Sequence, residues 1–124
     1  MTKDEIRQIR RIYRTIVALE QEINTQYGLN LNEAVLLCHL NEADGMTSGE
    51  IAETLELTCS NTSKVIASVE KQGYVHRRIG KEDKRNMQVA LTAKGRGLLE
   101  TMNCCSIPVP ELLQDIIKES EHQQ

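Results

Sequence analysis

Positive charge in this chain is gathered into one stretch. Between residues 58 and 97 stand Lys64, Lys71, Arg77, Arg78, Lys81, Lys84, Arg85, Lys94 and Arg96, against only Glu70, Glu82 and Asp83. Nine cations against three acids leave a local net of +6, whereas the 124 residues together carry −3, so the rest of the chain sums to −9. Basic charge segregated on an acidic chain is the electrostatic footprint of a surface for duplex DNA. The residue types fit that chemistry. Asn61 can hold adenine with both ends of its amide, Lys64 suits guanine or a phosphate, and Ser60 and Ser63 suit either. Cys59, Ala67 and Ser68 are expected beside them on the outer side of the same helix, small enough to let its backbone come close to a groove. Arg77, Arg78, Lys81, Lys84 and Arg85 would flank or enter the adjoining minor groove, where narrow width and negative potential favour Arg. A charged loop alone is usually only solvated surface, and a capped helix pair alone fits any small helical domain. Their combination, in this order, gives the reading its weight.

The elements that would position these groups follow from periodicity. Residues 4–27 predict a helix: Ile6, Ile9, Tyr13, Ile16, Ile23 and Tyr27 recur at three- and four-residue steps, Val17 and Leu19 widen the stripe, and Gly28 stops it. About 24 residues make a rod of about 36 Å, too long for so small a core to cover, so part of its apolar face is expected against a second chain. A second helix is expected over 32–41 with Asn32 as its cap. A third, over 47–55, opens on Thr47-Ser48-Gly49-Glu50, a capping box, with Ile51, Ala52 and Leu55 facing inward. Thr58 caps a fourth helix that ends at Gly73 and buries Thr62, Val65, Ile66 and Val69. Two short helices joined by a tight turn, the second one basic, form a helix-turn-helix pattern. Residues 74–79 and 86–91 read as strands around a polar hairpin, Gly80 to Arg85. Thr92 caps a fifth helix to about Cys104, and a sixth runs from Glu111 to about Glu121 after Pro108 and Pro110.

Composition excludes other classes. The chain is 40% hydrophobic but has no Phe, no Trp and three Tyr, so its core must be aliphatic. No run of 18 apolar residues exists, and the charged start MTKDEIRQIRR lacks a signal region, so no membrane association and a cytoplasmic location are expected. Four Cys without a CxxC pair read as reduced thiols. Cys38, beside Leu36, Leu37 and Leu40, is expected in the core. Cys59 opens the fourth helix, where oxidation would place a bulky or charged group on the outer face. Adjacent Cys104 and Cys105 suit bridges between subunits better than a bond to each other. His39, His76 and His122 share no ligand spacing, and the carboxylates form no triad, so no metal, no cofactor and no catalytic residue are expected.

From TSGEIAETL, through the S-x-x-x-K-x-I-x-x-V-E-K-x-G-Y-V run that begins at Ser60, to DKR and LTAKG, residues 29–97 resemble the winged helix-turn-helix core of the multiple-antibiotic-resistance regulator (MarR) family. The resemblance implies an α+β, mainly α chain: an N-terminal dimerisation helix over 1–28, a DNA-binding domain over 29–92, and C-terminal dimerisation helices over 93–124. It also implies a homodimer on a pseudo-palindromic operator, acting by default as a repressor, and a wing in which Asp83 positions Arg85. Ile6, Ile9, Tyr13, Ile16, Leu112, Leu113, Ile116 and Ile117 are the expected dimer contacts. Aromatic effectors are common in the family, but Tyr13, Tyr27 and Tyr74 are the only rings here, and any effector stays unnamed. Two alternatives remain open at this point: a winged-helix protein-interaction module that never touches DNA, and a thiol-based redox-sensing regulator.

Overall fold

A computed structural model describes residues 1–80, 87–104 and 107–122. The elements are α1 (Lys3–Tyr27), α2 (Leu31–Glu42), β1 (Met46–Thr47), α3 (Ser48–Leu55), α4 (Cys59–Lys71), β2 (Val75–Ile79), β3 (Met87–Leu91), α5 (Ala93–Cys104) and α6 (Glu111–His122). They fall into two compact units: residues 29–106 form one, and residues 1–28 with 107–124 form the other. Helix α5 therefore groups with the sheet and the central helices.

In the central unit, the core is aliphatic as composition requires. Leu29, Leu36, Leu37, Ile51, Ile66, Val69 and Val89 are almost completely buried, joined by Leu40, Val65, Val75, Leu91 and Leu99. Helix α2 starts one residue earlier than its sequence suggests, and its cap lies two residues earlier. Asn30, not Asn32, is the cap: its side chain accepts from the Glu33 backbone N–H at 2.8 Å, and Glu33 accepts from the Asn30 N–H at 2.8 Å. Three residues separate a cap from its reciprocal acid, and only Asn30 stands at that distance from Glu33. Cys38 is exposed rather than in the core. Helix α2 buries Glu33, Ala34, Leu36, Leu37 and Leu40, and at about 100° per residue Cys38 falls just beyond that arc. Its thiol pKa is raised, by partial burial first and by the Glu42 carboxylate second, which keeps it protonated and a poor nucleophile at neutral pH.

The box at Thr47 and Glu50 forms as expected, at 3.1 and 3.2 Å. Helix α3 ends on Glu56, whose φ of 55° is left-handed, with the Leu57 N–H closing on the Ala52 carbonyl at 3.0 Å. The sheet has order β1-β3-β2 and is antiparallel throughout, with Met46 opposite Val89 and Arg77 opposite Val89 on the other side. Strand β1 is absent from the sequence expectations, because two residues show no alternation. It ties the start of α3 to the sheet.

In the terminal unit, α1 is capped by Thr2 in a reciprocal box with Glu5 and ends on Gly28 in left-handed conformation. It touches α6, yet no residue of α1 is buried. Ile6, Ile9 and Tyr13 are more than half exposed, and Ile116 and Ile117 of α6 are also exposed.

Candidate nucleic-acid interface

Helix α4 divides cleanly along its length. Thr62, Val65, Ile66 and Val69 are buried, and the Thr62 hydroxyl satisfies itself on the Thr58 carbonyl at 2.8 Å. Opposite them, Cys59, Ser60, Asn61, Ser63, Lys64 and Ala67 are all exposed. Ser60, Ser63, Lys64 and Ala67 sit at i, i+3, i+4 and i+7, one ridge of the helix. Thr58 caps the helix by accepting from the Asn61 N–H at 3.1 Å, and no acid stands in the first turn. The uncovered N–H groups and the helix dipole there favour an anion. Lys64 makes no ion pair among the described residues.

Ser68 does not join that outer face. It is half-buried and donates to the Glu33 carboxylate, while Gln72 Nε2 approaches the Ser68 carbonyl at 3.4 Å. Glu33 is buried, and each oxygen has a partner: the Asn30 N–H on one, Ser68 on the other. A buried carboxylate needs such partners to be tolerated. Here they also bolt α4 to the start of α2.

The other end of α4 is fixed by the LTAKG segment. Thr92 Oγ1 donates to the Gly73 carbonyl at 2.7 Å and accepts from the Gly95 N–H at 3.1 Å. Lys94 Nζ donates to the Gln72 carbonyl at 2.7 Å, at the negative end of the helix, and lies 5.1 Å from the centre of the Tyr74 ring. A side chain at Gly95 would collide with the Tyr74 carbonyl. Lys94 thus serves the frame rather than a ligand.

The strand arginines are also engaged. Arg77 Nε meets Glu70 at 3.3 Å, tying β2 to the last turn of α4. Arg78 Nη2 donates to the Asp44 carbonyl at 2.5 Å and to its carboxylate at 3.0 Å. The adjoining Gly45, at φ 96°, leaves room for that guanidinium: a Cβ there would stand 2.7 Å from Nη2. Sequence reasoning missed these partners, since Asp44 lies 34 residues away. The Asn30-x-x-Glu33 spacing was the available signal for the buried Glu33. Of the remaining expected contacts, Lys81, Asp83, Lys84 and Arg85 lie outside the described residues, as do Cys105 and the tip of the hairpin. No group of three or more His, Cys, Asp and Glu suited to a metal ion occurs among the described residues. No described helix is long and apolar enough to cross a membrane.

A domain of this shape, with a basic helix presented beside a small antiparallel sheet, is matched by the family model for the MarR family over residues 29–87. Residues 29–87 form a MarR-family domain. Among its relatives is the regulator PapX of Escherichia coli, 27% identical over 94 residues, which cover 74% of this chain and 57% of PapX. The transcriptional repressor Rv2887 of Mycobacterium tuberculosis is 31% identical over 90 residues, 70% of this chain and 65% of its own. Sco3205, a MarR-family transcriptional regulator from Streptomyces coelicolor solved in complex with DNA, superposes with a TM-score of 0.67 at 25% identity, covering 83% of this chain and 71% of that one. The chain spans about half the length of the first curated relatives it matches. The fold is a winged helix-turn-helix, mostly helical with one small sheet.

Proposed function

We propose that this chain is a sequence-specific regulator of transcription that binds duplex DNA as a homodimer and acts as a repressor by occupying its operator. One observation carries the reading: apart from Glu70, which Arg77 neutralises, the face of α4 turned away from the core holds small, hydrogen-bonding or cationic side chains, with Lys64 unneutralised among the described residues. A helix offering such a face enters a major groove and reads base edges there. Asn61 and Lys64 are the base and phosphate contacts, Ser60 and Ser63 support them, and Cys59 borders the groove. Arg77 and Arg78 flank it from β2, and Lys81, Lys84 and Arg85, with Asp83, supply the wing. The repressor mode draws on the names of the mycobacterial relatives, and the DNA partner on the Sco3205 complex. The role is regulatory, not catalytic.

Two such helices must stand about 34 Å apart, one turn of DNA, to read a pseudo-palindrome. The exposed Ile6, Ile9, Tyr13 and Ile16 of α1 and Ile116 and Ile117 of α6, with the half-buried Leu112 and Leu113, supply the dimer surface. The test is selection of bound sequences from random duplex DNA at two salt concentrations. A two-fold consensus with affinity falling by orders of magnitude between low and moderate salt is the expected result. Absence of enrichment at low salt would favour the protein-interaction module instead.

A further inference from the structure

The first half of α1 carries a second basic cluster that overall charge conceals. Arg7, Arg10, Arg11 and Arg14 recur at i, i+3, i+4 and i+7, with Lys3 one turn earlier. They share one side of the helix and, with Thr15 and Ala18, line a shallow surface hollow. All four arginines are exposed. Arg7 has a long contact to Asp4, 3.7 Å between groups each more than three-quarters exposed. Arg10, Arg11 and Arg14 meet no carboxylate among the described residues. Like charges one turn apart oppose the helix they sit on, so the cluster calls for an anionic partner.

Helix α6 offers the complement. Residues 107–124 hold Glu111, Asp115, Glu119 and Glu121 against Lys118, a net of −3. Glu111 and Asp115 are exposed and stand one turn apart, about 6 Å along the axis, the same step as Arg10 to Arg14. Arg10, Arg14 and Asp115 border apolar stripes. Arg10 is four residues from Ile6 and three from Tyr13, Arg14 is three from Val17, and Asp115 is three from Leu112. Charges that flank an apolar seam in this way choose the partner and its orientation. Within one chain α1 and α6 already touch, yet these guanidiniums and carboxylates do not meet.

We propose that Arg10 and Arg14 of α1 pair with Glu111 and Asp115 of α6 in a second copy of this chain, and that this register selects identical subunits. The inference rests on the homodimer proposed above. Its test uses three full-length chains: the natural one, a basic-reversed chain (Arg10→Glu with Arg14→Glu), and an acid-reversed chain (Glu111→Arg with Asp115→Arg). Sedimentation equilibrium gives their dimer dissociation constants. Each reversed chain alone should dimerise about 10- to 100-fold more weakly, since two copies of each pair turn repulsive. An equimolar mixture should recover most of the natural affinity, because every contact is then again between opposite charges. The Arg10→Lys with Arg14→Lys chain, which keeps the charge, should lose little and separates charge loss from misfolding. Reversed chains that dimerise as tightly as the natural one would overturn the proposal. So would a mixture that recovers nothing, which would place the pairing within one chain or on a free anion. A natural chain monomeric at all concentrations would instead overturn the dimer reading itself.

Discussion

The two units of this chain use apolar residues in opposite ways. Residues 29–106 contain every one of the buried hydrophobic side chains among the described residues, from Leu29 to Leu99. The terminal unit has an amphipathic helix of 25 residues with none buried. Exposed Ile6, Ile9 and Tyr13 repeat with helical period as Leu36, Leu37 and Leu40 do, and the stripe of α1 is the more sharply segregated of the two. The difference lies in what covers the stripe. The central unit supplies its own cover from α3, α4 and the sheet, whereas no residue of the α1 stripe is buried within the terminal unit. A periodic stripe therefore reports that a face must be buried, and not whether the same chain buries it.

Substitutions can break this contrast. Leu37→Ala, at a fully buried site, should lower stability by about 3 kcal/mol through lost burial and the cavity left behind. Ile9→Ala should leave the unfolding midpoint of a dilute monomer nearly unchanged, and weaken self-association instead. Denaturant unfolding and sedimentation on both variants check the pair, and equal thermal losses would erase the distinction. Next in size is Glu33→Ala, which removes the acceptor for the Asn30 N–H and the Ser68 hydroxyl at once. A loss of about 2–3 kcal/mol is expected in urea unfolding, with Glu33→Gln milder because an amide retains one acceptor. The smallest change runs the other way. Glu56→Gly places at φ 55° the residue that region favours and should raise stability by about 0.5–1 kcal/mol, read as a shift in melting temperature.

Much of the central unit was legible because its signals are local. Thr47 with Glu50, Thr58, Gly73 and Thr92 mark ends within three or four residues of what they cap, and each end stands where the sequence puts it. Where two signals competed, spacing decided: Asn30 and Asn32 are both good caps, and only Asn30 has Glu33 at the reciprocal position. Ser68 and Cys38 were misplaced because each lies at the edge of a helical arc, where tertiary contacts choose the side. The site was legible on α4, whose exposed ridge follows from the helix period. It was not legible for Arg78 and Arg77, whose partners come from the turn before β1 and from the last turn of α4. The α1 cluster hides for another reason: Asp4, Glu5, Glu20 and Glu22 cancel most of its charge when the helix is summed as a whole.

These contacts also redistribute the basic charge counted from the sequence. Arg77, Arg78 and Lys94 hold the scaffold, and among the described residues of α4 Lys64, on the outward ridge, and Lys71, in the last turn, face outward unneutralised. The affinity of a selected operator duplex for the Lys64→Glu chain, measured beside its melting temperature, tests the central claim most directly. The account predicts at least about a tenfold loss of affinity and a shallower salt dependence, at unchanged stability. Affinity and salt slope equal to those of the natural chain would contradict it.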